Sequence, residues 1–385
     1  MIRIEKVLTQ PVPSDIYTIG APEDVLFFDI ETTGLSARSA GLYLIGVLTY
    51  TDKNWTLLQY FCEDVADEPA VLQAFFELLR TKKILISYNG DGFDIPFLRH
   101  MVEQYGLRIP RPHHSTALHD RVDCPATDGS AIADARPLCS FDTVESFDLF
   151  KKFRPLKRLL DLPDLKLKSC ERFLGIDRED RFTGGELIEV YFEWQKTKAP
   201  ALLDTLLLHN AEDIANLPNL LPLLRYRSLP HSDFQLRAHE RDECTIHLHY
   251  LSALTLPQPM DLRGDFWALH AEGSAVELYV QLFEGERKLF FADFEHYYYL
   301  PAEDQVIHQS LAEFVDRSAR KKACARNCYQ RVTGCFLPEC SEVYTPALRA
   351  EYHDKLRYAQ YSDTLFDDEA KAVTYLKSFL AVYGV

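Results

Sequence analysis

The run Val25-Leu26-Phe27-Phe28-Asp29-Ile30-Glu31-Thr32 limits what this chain can fold into more than any other segment. It reads as a buried hydrophobic strand that ends in two carboxylates spaced two residues apart. Side chains of a strand alternate faces, so Asp29 and Glu31 project to the same side. Two anions held side by side at the end of a buried strand repel each other unless a cation or a proton neutralises them, which points to a metal site. By itself the pair also fits a solvated strand end, so the decision rests on the rest of the chain.

Two other segments supply candidates. In NGDGFDIPFL, Asn89 and Gly90 close the strand KILISYN and Asp94 opens a helix, a position that also suits an N-cap. Gly90 and Gly92 lack the third glycine of a dinucleotide-binding turn, which excludes a nucleotide cofactor. In HNAED, His209 and Asp213 are four apart on a helix and share one face.

Taken in order, DIETTGL at 29–35, NGDGFD at 89–94 and HNAEDIANL at 209–217 resemble the DEDD superfamily (DnaQ-like) of 3′–5′ exonucleases, and specifically its YprB-like branch of the ribonuclease-H fold. The linking segment from Phe147 to Trp194 is similar as well, so the likeness spans about residues 20–227. This resemblance implies an α/β fold with a ribonuclease-H-like mixed five-stranded sheet flanked by helices. It also implies hydrolysis of single-stranded DNA or RNA to nucleoside monophosphates. Asp29, Glu31, Asp94 and Asp213 would hold two divalent cations, Mg²⁺ or Mn²⁺, and His209 would be the general base. Thr33, Gly34 and Leu35 would line the pocket for the 3′-terminal nucleotide, with Asn89 and Phe93 nearby. In the histidine subclass the imidazole stands five residues before the last acid; His209 stands four before, the spacing of the tyrosine subclass, a rotation of about 100° on a helix. The competing expectation is a nucleic-acid-binding or scaffold protein that keeps the fold without catalysis.

The order of elements across 24–105 is β-β-β-α-β-α, and helical spacing dominates from Leu165 to Arg227. Residues 110–140 hold Pro, Gly, Asp and Ser without a lasting period and read as a long flexible insertion. Near Leu229-Pro230 the pattern changes, which predicts an exonuclease domain over 1–230 and a smaller α+β domain of unknown role over 231–385, helical from about Pro346. A length of 385 residues with 47% hydrophobic content agrees with two cores, because single cores rarely exceed about 250–300 residues.

The net charge of −16 argues against a general positive field that coats nucleic acid, so any such contact is local. Lys151, Lys152, Arg154, Lys157, Arg158, Lys166, Lys168 and Arg172 form one basic stretch that could track a phosphate backbone, and six cationic residues from Arg317 to Arg331 form another. Cys324, Cys328, Cys335 and Cys340 could hold structural zinc, although they lack the paired CxxC spacing, and reduced thiols are the default for the nine cysteines. No apolar stretch of roughly 18 residues and no secretory leader pattern is present, which predicts a cytoplasmic protein without membrane contact.

Overall fold

The computed structural model describes residues 1–107 and 140–382. The insertion expected at about 110–140 falls almost wholly outside the described residues. Two compact units are present: Met1–Lys157 with Leu162–Leu224, and Arg158–Asp161 with Arg225–Val385.

The first unit is built on one mixed sheet. Its strands are β1 (Ile2–Leu8), β2 (Val25–Thr32), β3 (Leu42–Thr51), β4 (Asn54–Phe61), β5 (Ile84–Ser87) and β6 (Glu145–Asp148), in the order β1-β4-β3-β2-β5-β6. Strands β1 to β4 pair antiparallel, whereas β2-β5 and β5-β6 pair parallel. The five strands expected for the fold are therefore joined by a sixth. IRIEKVL carries charged residues at Arg3, Glu5 and Lys6, as an edge strand does, and β1 pairs with β4 along its whole length.

Helices of this unit are α1 (Glu68–Leu79), α2 (Asp94–Gln104), α3 (Leu149–Phe153), α5 (Leu167–Phe173), α6 (Gly184–Thr197) and α7 (Pro200–Leu220), while the chain passes from one unit to the other within α4 (Leu156–Leu159) and α8 (Leu224–Ser228). The alternation of β2 assigns its two faces. Leu26, Phe28 and Ile30 enter the core formed with α1 and α2 through Leu72, Phe75, Phe97 and Leu98. The opposite face carries Asp29 and Glu31 and receives α7. On this side Tyr43, Leu44 and Phe61 pack with Leu187, Tyr191, Trp194 and Leu206 of α6 and α7, and the rings of Tyr43 and Tyr191 stack 4.3 Å apart.

Helix α6 starts at a capping box in which the Thr183 amide donates to Glu186 Oε2 at 2.7 Å. Helix α7 continues two residues past Pro218 and ends at Leu220; Pro222 lies in the short 3₁₀ turn that follows, where its missing amide does not have to join the helix.

The second unit contains a five-stranded antiparallel sheet of β7 (Phe234–Arg241), β8 (Thr245–Ser252), β9 (Met260–Arg263), β10 (Trp267–Glu272) and β11 (Ala275–Gln281), ordered β7-β8-β11-β10-β9. Strands β12 (Phe283–Phe290), β13 (Tyr297–Leu300), β14 (Gln305–His308), β15 (Lys321–Lys322), β16 (Tyr329–Glu339) and β17 (Arg357–Gln360) form two three-stranded sheets, β12-β16-β17 and β14-β13-β15. One long helix, α9 (Glu369–Ala381), closes the unit. The helical character expected from about Pro346 thus begins only at Glu369, because residues around Leu348 bridge to Tyr358 and to Lys288 and extend the sheet instead. No described helix is long and apolar enough to cross a membrane.

Candidate active site

Asp29 and Glu31 occupy the last turn of the pleat before β2 ends at Thr32, both on the α7 side. Asp94, the first residue of α2, arrives from the opposite layer, and its Oδ1 accepts the Ile30 amide at 3.2 Å. That amide belongs to the residue between the two strand acids, so a single hydrogen bond sets Asp94 beside both. From α7, one turn apart, come His209 and Asp213. His209 Nε2 lies 3.8 Å from Glu31 Oε1 and 3.5 Å from Asp213 Oδ2, and one ligand atom from each of Glu31, His209 and Asp213 lies within 4.8 Å of the others. The five residues read from the sequence as one constellation are therefore brought to one place.

Their electrostatics follow from that crowding. Burial, then Glu31, Asp94 and Asp213, push the Asp29 carboxyl well above the usual carboxylate range. Burial, then Asp213 and Asp94, do the same to Glu31. Burial raises Asp94 to about 7, against the backbone hydrogen bonds that lower it and with Asp148 adding to the rise. The set is one of oxygen donors with one imidazole, and burial penalises its charge until a cation is present. This is the chemistry of a hard divalent cation site, so Mg²⁺ or Mn²⁺ fits the residues present.

The surrounding residues were not legible beforehand. Asn210, next to His209 and fully buried, donates from Nδ2 to Asp29 Oδ2 at 3.1 Å, and Gln59 of β4 holds its Oδ1 at 3.0 Å. Tyr43 donates to Glu31 Oε2 at 3.4 Å. Between α5 and α6, Asp180 accepts from Lys168 at 2.8 Å and meets His209 Nδ1 at 2.7 Å. Although burial opposes it, Lys168 and His209 hold Asp180 below the ordinary carboxylate range. An ionised Asp180 can only accept, so Nδ1 carries the hydrogen and Nε2 is the nitrogen turned to the acids. Arg178, almost fully buried, reaches Glu171 at 3.1 Å, Glu212 at 3.4 Å and also Asp213. Its guanidinium anchors one oxygen of Asp213 while the other faces His209. Asn210 alone had a signal in the sequence, its place inside HNAED; nothing in their spacing marks Arg178 or Asp180.

The remaining candidates divide. Thr33 accepts the Gly41 amide at 2.8 Å and, with Gly34, shapes the turn that leaves β2; Leu35 at its tip is 89% exposed. Asn89 takes a left-handed conformation with φ of 66°, and its amide donates to Asp148 at the end of β6. Phe93 packs against the core and Phe97, 5.7 Å between centroids, rather than standing free beside the acids. Of the basic stretch, Lys151 pairs with Asp91 and Lys168 with Asp180. The four cysteines form no ligand cluster among the described residues: Cys324 is exposed, Cys328 is buried, and the Cys335 thiol meets Arg241 instead.

A mixed sheet covered by helices, with carboxylates gathered from its first long central strand and a late helix, defines a ribonuclease-H-like fold. A family model of the RNase_H superfamily matches residues 26–225, more than half of the chain, and the chain belongs to that superfamily. Over 95 residues it is 30% identical to a DNA polymerase of Pyrococcus glycovorans, a stretch covering 22% of this chain and 12% of the polymerase. Over 187 residues it is 25% identical to a DNA polymerase of Thermococcus aggregans, covering 45% and 9% respectively. The chain thus spans a small part of the length of these curated relatives. Among solved structures, the family B DNA polymerase of Pyrobaculum calidifontis aligns with a TM-score of 0.37 and 15% identity, over 69% of this chain and 34% of that one.

Proposed function

We propose that this chain is a two-metal-ion 3′–5′ exonuclease of the YprB-like branch of the DEDD superfamily, releasing nucleoside monophosphates from single-stranded DNA or RNA. The observation that carries the reading is the convergence of Asp29, Glu31, Asp94 and Asp213 with His209 Nε2 in one partly buried place. The polymerases it matches act on DNA, which supports a nucleic-acid substrate. The four carboxylates would hold two divalent cations, which supply charge neutralisation at the scissile phosphate and acidify water. His209, whose ring Asp180 orients through Nδ1, would take the proton of the attacking water at Nε2. Water attacks phosphorus, the P–O3′ bond breaks, and the 3′ oxygen of the shortened strand takes up a proton. Leu35, exposed at the turn after the strand acids, would offer an apolar surface to the terminal base, with Thr33 and Gly34 in the same turn, and Asn89 would complete that pocket. We also propose that the catalytic domain corresponds to residues 1–230, followed by a separate domain.

The test is a time course on 5′-labelled single-stranded DNA and RNA with Mg²⁺ or Mn²⁺, run with wild type, Asp29→Ala and added chelator. A ladder shortening from the 3′ end that requires metal and vanishes in the variant supports the proposal and names the preferred sugar. Intact substrate, still bound by the protein, would transfer the reading to a non-catalytic nucleic-acid-binding protein, in which Arg178 has taken over the neutralisation of Asp213.

A further inference from the structure

A second cluster of donor atoms lies in the other unit, on the five-stranded sheet. In β8, Ile246, Leu248 and Tyr250 are buried, and the period of two places His247 and His249 together on the opposite face. The register with β11 sets Glu277 directly across from His249 and Tyr279 across from His247. Two imidazoles and a carboxylate are thus assembled by strand geometry alone.

Their spacing is that of groups facing a common point. His247 Nε2 lies 3.8 Å from Glu277 Oε2, His249 Nδ1 lies 3.8 Å from Glu277 Oε1, and the three ligand atoms all fall within 4.8 Å of one another. These gaps exceed a hydrogen bond, which ends at about 3.2 Å. His247 Nε2 is shielded from solvent and makes no hydrogen bond, so a buried ring nitrogen points at a carboxylate without reaching it. Donors around a tetrahedral ion with bonds of about 2.0–2.1 Å stand about 3.4 Å apart, so the two 3.8 Å gaps close by a few tenths of an ångström and the widest separation, at most 4.8 Å, by no more than about 1.4 Å.

The supports are those of a ligand set. Tyr279 donates to Glu277 Oε2 at 2.9 Å and fixes the carboxylate, while its ring stacks on His247 at 3.9 Å and 17°. The two imidazoles are themselves 3.7 Å apart. Glu240 opposite His247 and His270 opposite Glu277 extend the same face. All three ligands keep part of their side chains in solvent, which leaves an entry path and room for water in a fourth position.

We propose that His247, His249 and Glu277 bind a single transition-metal cation of the zinc class, with one coordination position open. Two imidazole nitrogens select such an ion over Mg²⁺ or Ca²⁺, which prefer oxygen, so this site differs in metal class from the four-acid site and does not depend on its reading.

The experiment uses the full chain carrying His209→Gln, which removes the imidazole of the first site, in saturating Mg²⁺, with Zn²⁺ binding followed by calorimetry and Co²⁺ binding by visible absorption. One equivalent of Zn²⁺ and the strong absorption of four-coordinate Co²⁺ are expected. Adding His247→Gln or Glu277→Gln should weaken binding by at least ~100-fold, and Tyr279→Phe by ~10-fold or more through the freed carboxylate. Circular dichroism identifies any variant that fails to fold; Tyr279→Phe, the mildest of the three, then decides. No Zn²⁺ binding in the parent chain, or the same affinity in the folded variants, overturns the proposal.

Discussion

Replacing Gly46 with alanine adds one methyl group where β3 runs beneath α7. Gly46 is the register partner of Asp29, and a Cβ there would lie 2.0 Å from Asn210 Oδ1 and 2.1 Å from Ile214 Cδ1. Carbon contacts settle at about 3.5–4.0 Å, so the helix or both side chains must withdraw by more than ~1 Å. Overpacking of this kind costs about 1–3 kcal/mol. Withdrawal of Asn210 also breaks its bonds to Asp29 and Gln59 and leaves buried polar groups unpaired, a further ~1–3 kcal/mol. Together these give a loss of about 2–6 kcal/mol. For a unit of this size, 1 kcal/mol moves Tm by about 2–4 °C, so calorimetry should show a fall of at least ~4 °C. Because His209 and Asp213 ride on the same helix, Mg²⁺ affinity and strand degradation should fall with it. A Gly46→Ala protein that melts within ~2 °C of wild type and degrades oligonucleotides at the wild-type rate would refute the claim that this close approach assembles the site.

Asp180→Asn replaces the acceptor-only carboxylate that sets the His209 tautomer with an amide whose NH2 can donate to Nδ1, so kcat should fall by ~10²-fold or more while metal binding stays near wild type; an unchanged kcat and pH profile would remove Asp180 from the mechanism. Arg178→Met leaves Glu171, Asp180 and Asp213 beside one another without their shared cation, and denaturant unfolding should show a loss of about 3–5 kcal/mol; a neutral result would mean that the acids take up protons freely. Asp94 titrates at about 7 in the fold against an ordinary 3.8, so the folded chain holds more protons than the unfolded one between those values. Stability of the metal-free protein is then fully present below the lower value and lost as pH rises through the upper one, and Mg²⁺ should restore more Tm at about pH 8 than at about pH 5.5. A chelated protein whose Tm rises over that interval would contradict the assignment.

The sequence by itself determined the parts of this protein that depend on local periodicity. A strand repeats every two residues, so VLFFDIET alone places Asp29 and Glu31 on one side; a helix repeats every 3.6, so HNAED alone places His209 and Asp213 one turn apart. The turn at Asn89 and Gly90 likewise announces Asp94 at a helix start. What local patterns cannot carry is which faces meet. That α7 lies on the acidic side of β2 is decided by packing around Tyr43, Tyr191 and Trp194 and by the missing side chain at Gly46. Asp180 and Arg178 reach the site because the segment between α5 and α6 is pinned by Glu212 of α7, whose carboxylate accepts the amides of Glu179 and Asp180. The sixth strand was hidden because β1 draws its stability from pairing with β4, a strand distant in sequence, and the segment near Pro346 took sheet geometry from its bridges to Lys288 and Tyr358. The cysteines, close in sequence, gather no ligand cluster among the described residues because Cys335 lies on β16 whereas Cys328 is buried just before that strand and Cys324 is exposed. Short-range chemistry is written in residue spacing, whereas the partners that tune it are chosen by long-range packing, which the spacing does not record.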